Sequence, residues 1–352
     1  MKRNLLAKSV LVGLLLPAGA MASQVDIYGL IQMDYGYHEQ ETHAGVNTHD
    51  WELESRASRF GIKGDVDVPD TSLKAIYKYE FGLNVDGSNT SSQVDLVQRD
   101  TFFGLAGQNW GSVKFGRYSS ATKQVMHTKA GGIDLFDNQT NADYDYVFVG
   151  DDRVSNLISY QTPTILGGLQ WTMIIQPGEG SEGDNGPADG ISTALTYSTS
   201  KTWAVGLAYN NNINDTDIIK LTGKYHVGAF EFGAAYQNAD GHGDDDLSGE
   251  GGMRGLGTVG LSRENIESQN AYLLNAGYHL GKILLKAQWA YGDLEQKDGS
   301  ESYDTYNYAI GADYNFSPAM KTYVTLAQGQ TDLGYGSNGK NSLATVGMML
   351  KF

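Results

Sequence analysis

The chain has 352 residues, with 41 acidic against 25 basic side chains and a formal charge of −16. A field of that sign repels nucleic acid and anionic lipid on average, which excludes a polyanion partner held by general attraction. With no cysteine in the chain, a disulfide framework, a thiolate metal site and a cysteine nucleophile are excluded too.

The first residues are basic (Lys2, Arg3, Lys8), followed by an apolar stretch over 10–16 and the small-residue site Ala20-Met21-Ala22. This reads as a secretory signal peptide over 1–22. An amphipathic first helix of a cytoplasmic protein fits less well, because the apolar core is too short to span a membrane and a cleavage pattern follows it. Removing 1–22 takes away three cations and no acid, so the mature charge moves from −16 to −19.

Beyond the leader no segment approaches the eighteen or so apolar residues that a spanning helix needs. A soluble exported β protein and a closed transmembrane barrel remain, and alternation separates them. From 305 to 316 one face carries Tyr306, Tyr308, Ile310, Ala312, Tyr314 and Phe316, the other Thr305, Asn307, Ala309, Gly311 and Asp313. Stretches 203–210 and 230–237 split the same way. A sandwich core demands large apolar groups on its inner face, whereas an aqueous lumen tolerates small and charged ones.

Strand-like segments fall at 25–37, 52–65, 72–85, 97–107, 111–118, 154–162, 168–177, 189–199, 202–212, 215–226, 229–238, 267–280, 283–295, 303–316, 319–331 and 341–352. That predicts an all-β fold, a sixteen-stranded antiparallel transmembrane barrel. Abundant glycine (45) and tyrosine (22) with scarce proline (6) suit such a chain. Short turns alternate with long polar loops (38–51, 119–153, 178–188, 239–266), the rhythm of a barrel with turns on the periplasmic side and long extracellular loops. Tyr225, Tyr278, Tyr314 and Phe316 beside the turns are expected in a membrane-interface girdle. The cluster Asp244-Asp245-Asp246 lacks the twelve-residue ligand spacing of a calcium loop and is read as part of a solvated external loop; no metal site is expected.

Five stretches then carry a resemblance: Val25-Asp26-Ile27-Tyr28-Gly29, Ser58-Arg59-Phe60-Gly61-Ile62-Lys63-Gly64, the run from Arg99 through Phe103-Gly104-Leu105, Gly111-Ser112-Val113-Lys114-Phe115-Gly116-Arg117, and the end from Val346 to Phe352. In this order and spacing they resemble the general, non-specific porins of Gram-negative outer membranes. The resemblance implies a homotrimer in outer-membrane lipid and lipopolysaccharide, passive passage of ions and small hydrophilic solutes, and no cofactor. It also implies a loop after the fifth strand, about 119–152, folded inward to constrict the pore. On that basis the wall cations are Arg59, Arg99 and Arg153, and the loop anions are sought at Asp134 and Asp137. The terminal Phe352 resembles the signal read by the outer-membrane assembly machinery.

Parity independently places Arg59 and Lys63 toward the lumen, together with Lys74, Lys78 and Glu80, which oppose Tyr77, Tyr79 and Phe81. For Arg99 alternation is ambiguous, since Phe103 has the same parity. Arg117 shares a face with Val113 and Phe115 and reads as outward, near a subunit contact that the resemblance assigns to the loop around 86–95. Leu30 stands at a lumenal position where family members carry lysine. With the acidic charge, this predicts a preference for cations.

An enzymatic barrel is the competing class, but the histidines lie mostly in loops with no fixed serine partner, and neither a nucleophile elbow nor a His-Glu-x-x-His motif occurs. A substrate-specific porin would show an aromatic track or a dense arginine ladder in the lumen, and neither stands out.

Overall fold

The computed structural model describes residues 24–87, 96–128, 131–136, 139, 141–178, 186–199, 202–243, 245–249, 251–264, 266–297, 299, 301–334 and 338–352. The leader expected over 1–22, the constriction acid expected at Asp137 and most of the subunit-contact loop, 88–95, lie outside the described residues.

Alternation drives one closed antiparallel sheet. Its strands are β1 (Gln24–Glu41), β2 in two segments (Asn47–Ser55 and Arg59–Asp67), β3 (Leu73–Gly82), β4 (Val97–Gly107), β5 (Gly111–Ser119), β6 (Arg153–Gln161), β7 (Leu169–Gln176) and β8 (Gly190–Thr199). They continue with β9 (Trp203–Ile213), β10 (Thr216–Val227), β11 (Phe230–Gly241), β12 (Ile266–Leu280), β13 (Ile283–Gln296), β14 (Ser302–Ser317), β15 (Met320–Asp332) and β16 (Gly339–Lys351). Each pairs with the next. β1 also pairs with β16, from Leu30↔Lys351 to Glu41↔Lys340, which leaves no open edge. Among the described residues no helix is long and apolar enough to cross a membrane; the strands are the crossing elements.

The single strand expected over 52–65 is broken at 56–58. Ser58 Oγ accepts from the Gln32 N–H at 3.0 Å and donates to the Gln32 carbonyl at 3.1 Å, while Arg56 turns to Asp34, 2.8 Å away. These side-chain bonds replace the ladder across the gap. The loop expected over 38–51 is correspondingly short, because both strands continue as a hairpin to Glu41 and Asn47.

The outward face is apolar, with Leu207, Ile310, Leu326, Val346 and Met348 all half exposed or more. It is banded by aromatics. Tyr236, Tyr272, Tyr291 and Tyr306 sit side by side at ring separations of 5.1, 6.1 and 5.1 Å near the long-loop end. Near the turns, Phe230 meets Tyr278 at 4.8 Å and Tyr314 meets Phe316 at 4.8 Å. From Tyr306 to Phe316 the strand climbs about 33 Å at its usual rise. Tilted by about 40°, that spans roughly the 25 Å of a barrel's apolar band.

The core lies inside the barrel. Met126, Ile133, Tyr144, Tyr146, Val147 and Phe148 pack against Ala235, Ala271, Leu273 and Ala290 of the wall. The small inner-face residues thus do more than face an aqueous lumen: they make room for this packing. A Cβ at Gly329 would collide with the Tyr146 ring, and Cβ atoms at Gly292 and Gly311 would lie within 2.8 Å of Val147 and 3.0 Å of Phe136. These glycines are sockets for an inward-folded loop. The stretch expected as a solvated loop over 239–266 is corrected as well: its first residues belong to β11, and Leu247, Met253 and Leu256 are buried against Val149, Tyr303 and Leu333 within the lumen. Large apolar side chains there gain more from the barrel interior than from water.

Candidate functional site: the lumenal constriction

The chain between β5 and β6 enters the barrel through a short helix, α1 (Ala121–Met126), capped by Ser120, whose hydroxyl accepts from the Lys123 N–H at 3.3 Å. The wall then holds the loop by its backbone. Lys224 donates to the Gly132 carbonyl (2.8 Å), Lys286 to Leu135 (2.9 Å), Gln288 to Ala142 (3.3 Å), Asn307 to Asn141 (2.6 Å), Gln269 to Val147 (2.7 Å) and Gln237 to Val149 (2.9 Å). Irregular backbone inside a barrel needs such partners, and the polar inward positions of β10–β14 supply them.

The loop's return is fastened by charge. Asp151 bonds Lys220 through one carboxylate oxygen and the Tyr144 hydroxyl through the other, and both members of the ion pair are almost wholly enclosed. Burial and the neighbouring Asp151 keep the Tyr144 phenol a neutral donor, its pKa raised well above ordinary.

With the loop seated against β8–β15, its other side faces the wall of β2–β6 across a recess. Five cations (Arg59, Lys78, Arg99, Lys123, Arg153) and five carboxylates (Glu80, Asp100, Asp134, Asp143, Asp145) line a recess of about 430 Å³ there. On the wall, Arg99 Nε lies 2.7 Å from Glu80, Lys78 Nζ is 3.2 Å from Glu80 and 2.7 Å from Asp100, and Arg153 Nε is 2.6 Å from Asp100. Arg59 donates to the Ala57 carbonyl at 3.3 Å; among the described residues it has no carboxylate within 4.0 Å. Tyr28 donates to Glu80 at 2.7 Å, and Lys63 Nζ stands 5.1 Å over its ring.

Arg59, Lys78, Arg99, Arg153 and Asp134 thus line one recess. Lys63 faces the lumen beside them, while Lys74, about half exposed, pairs with Asp65 and Asp67 at the turn end of the barrel, away from the recess. Arg117 donates to Ser155 Oγ at 2.7 Å on the face of exposed Phe115. Phe352 closes the sheet by exchanging backbone hydrogen bonds with Gly29 at 2.8 and 3.1 Å.

The ambiguous parity of Arg99 has a cause. Between the pairs Tyr79↔Thr101 and Phe81↔Gln98, two residues of β4 oppose one of β3, a bulge that turns both Arg99 and Asp100 onto Glu80 and Lys78. Asp100 was missed for that reason. Asp143 and Asp145 were missed because a loop has no period; their only sequence signal was the acidic spacing within Asp143-Tyr144-Asp145. Enclosure in the lumen raises the Asp145 carboxyl above its usual range, opposed by Arg254 and Lys123.

Chemically the recess holds fixed charges across a short gap, which favours polar and charged solutes over apolar ones. The grouping His38, Glu52 and Glu54 brings ligand-type atoms within 4.8 Å of one another. His38 and Glu54 are already joined at 3.1 Å, and Glu54 also pairs with Arg56.

A family description of Gram-negative porins matches residues 7–334. An outer membrane porin protein of Bordetella pertussis is 30% identical over 183 residues, covering 47% of this chain and 46% of that one. Outer membrane porin PhoE of Klebsiella oxytoca is 26% identical over 378 residues, covering 100% of both. A solved structure, an anion-selective porin from Comamonas acidovorans, shares the fold with a TM-score of 0.71 at 21% identity, covering 94% of this chain and 100% of that one. A closed sixteen-strand barrel of membrane height with a charge-lined recess in its lumen, matched over most of its length by that description, belongs to the Gram-negative porin family: a non-catalytic channel of the outer membrane.

Proposed function

We propose that this porin is a non-specific diffusion channel for ions and small hydrophilic solutes with a weak preference for cations. The observation that carries this reading is the composition of the recess, where the wall's own carboxylates, Glu80 and Asp100, sit against three of its cations. Five positive and five negative groups balance locally, so the chain's overall acidity sets the sign of the mean field. Leu30, buried on the lumenal face of β1, adds no charge.

The same reading includes removal of residues 1–22, a homotrimer contacting through the outward face that carries Arg117 and Phe115, recognition of Phe352 by the assembly machinery, and passage without substrate selection. Reversal potentials across a salt gradient test the sign: modest cation preference is expected, and anion preference refutes it. Liposome swelling with neutral sugars tests non-specificity, which predicts rates falling smoothly with solute size; saturable uptake of one sugar would instead identify a selective channel.

A further inference from the structure

Two loops fold into the lumen, and the second reaches the charges of the first. After β11 the chain turns back into the barrel and forms a 3₁₀ turn at Arg254–Val259. The Met253 N–H donates to the Phe148 carbonyl at 2.9 Å, the Gly150 N–H donates to the Gly251 carbonyl at 3.1 Å, and Val149 and Gly252 form an antiparallel bridge. Thr331 Oγ1 of the wall donates to the Gly255 carbonyl at 2.8 Å. A Cβ at Gly255 would stand 2.6 Å from Thr305 and 2.8 Å from the Tyr146 ring. The fit is tight on both the wall side and the constriction-loop side.

This seating delivers one guanidinium. Arg254 bonds Asp143, and its Nη1 lies 3.8 Å from Asp145; both carboxylates line the recess. A fork of donors fixed on a rigid turn can do two separable things to them. It subtracts a positive charge's worth of field from the acidic side, and it fixes the carboxylates' positions.

We propose that Arg254 is a specificity-determining residue: from behind the constriction loop it sets how strongly the pore prefers cations and holds Asp143 and Asp145 in line with the passage. The proposal rests on the reading of the recess as the conducting path. Arg254 acts through Asp143 and Asp145 and is a positioning residue, so charge and position must be tested apart.

The experiment is planar-bilayer recording of refolded, heat-modifiable full-length protein as wild type, R254Q, R254K and D145N. R254Q removes the charge. For a unit charge about one Debye length from the ion path, the cation-to-anion permeability ratio should rise about threefold. R254K keeps the charge but loses the planar fork, so its ratio should stay near wild type while open-channel current noise increases. D145N should move the ratio the opposite way to R254Q. If D145N shifts the ratio and folded R254Q does not, the Arg254 proposal is wrong and the conducting-path reading survives. If neither shifts it, or the wild type does not conduct, both fail. If R254Q does not fold, R254K decides: a ratio changed as far as threefold with the charge retained overturns the charge role.

Discussion

Replacing Lys220 with methionine should release the return end of the constriction loop without dismantling the barrel. Lys220 is fully enclosed and Asp151 nearly so, and the same carboxylate takes the Tyr144 hydroxyl. Truncating one partner of such a pair leaves a buried charge uncompensated, at a cost of about 3–5 kcal/mol. Each neutral hydrogen bond from Gln237, Gln269, Gln288 or Asn307 to the loop contributes only about 0.5–1.5 kcal/mol net. One anchor therefore rivals several of the others together, and its loss favours an undocked loop end by roughly a hundred- to several-thousand-fold. In planar bilayers K220M should show higher open-channel noise and closure at lower voltage, and should be cut by protease within 141–152 where the wild type is protected. The double variant K220M/D151N carries no orphaned charge and should recover much of the wild-type behaviour. Quiet, protease-resistant K220M indistinguishable from both wild type and the double variant would refute the assignment of this pair as the anchor.

Two further outcomes follow from the same geometry. Phe352 is 59% exposed on the outward, membrane-facing side while its backbone closes the sheet against Gly29, so F352A should lower the stability of the folded barrel by no more than the transfer value of one phenyl side chain, about 1.5–3 kcal/mol; if the ring is an assembly signal, F352A should lower the folded fraction in cells while refolding normally in vitro, and normal cellular yield would contradict that role. Because enclosure raises the Asp145 carboxyl, it gains its proton at a higher pH than an exposed carboxylate. Cation preference should begin to fall as pH drops while exposed acids are still ionised; D145N should lack that first step, and an unchanged profile in D145N would rule it out.

How far the sequence could be read depended on periodicity. Side chains of a strand repeat every two residues, so Ile310 and Asp313, or Leu207 and Asn210, declare their faces without a structure, and segment bounds fall within a few residues of those found. Where the period slips, the reading slips. The Arg99–Asp100 bulge hid an acid that holds two of the wall cations, and the break at 56–58 turned one expected strand into two segments. Loops carry no period at all. Resemblance located the constriction over about 119–152, but which carboxylates meet the wall depends on how Tyr144, Tyr146 and Phe148 seat in the barrel. Leu247, Met253 and Leu256, three large apolar residues in a glycine-rich polar stretch, were the available sign that the second loop also folds inward.

The most direct test of the account uses the absence of native cysteine. D145C places one thiol on the loop side of the recess, facing the wall of Arg99 and Arg153. Treatment with a bulky thiol-specific reagent during single-channel recording should lower the conductance of each open step by on the order of half, since ions must pass the modified side chain. Steps that keep their full conductance after complete modification, confirmed by mass, would show that current does not pass between this loop and this wall.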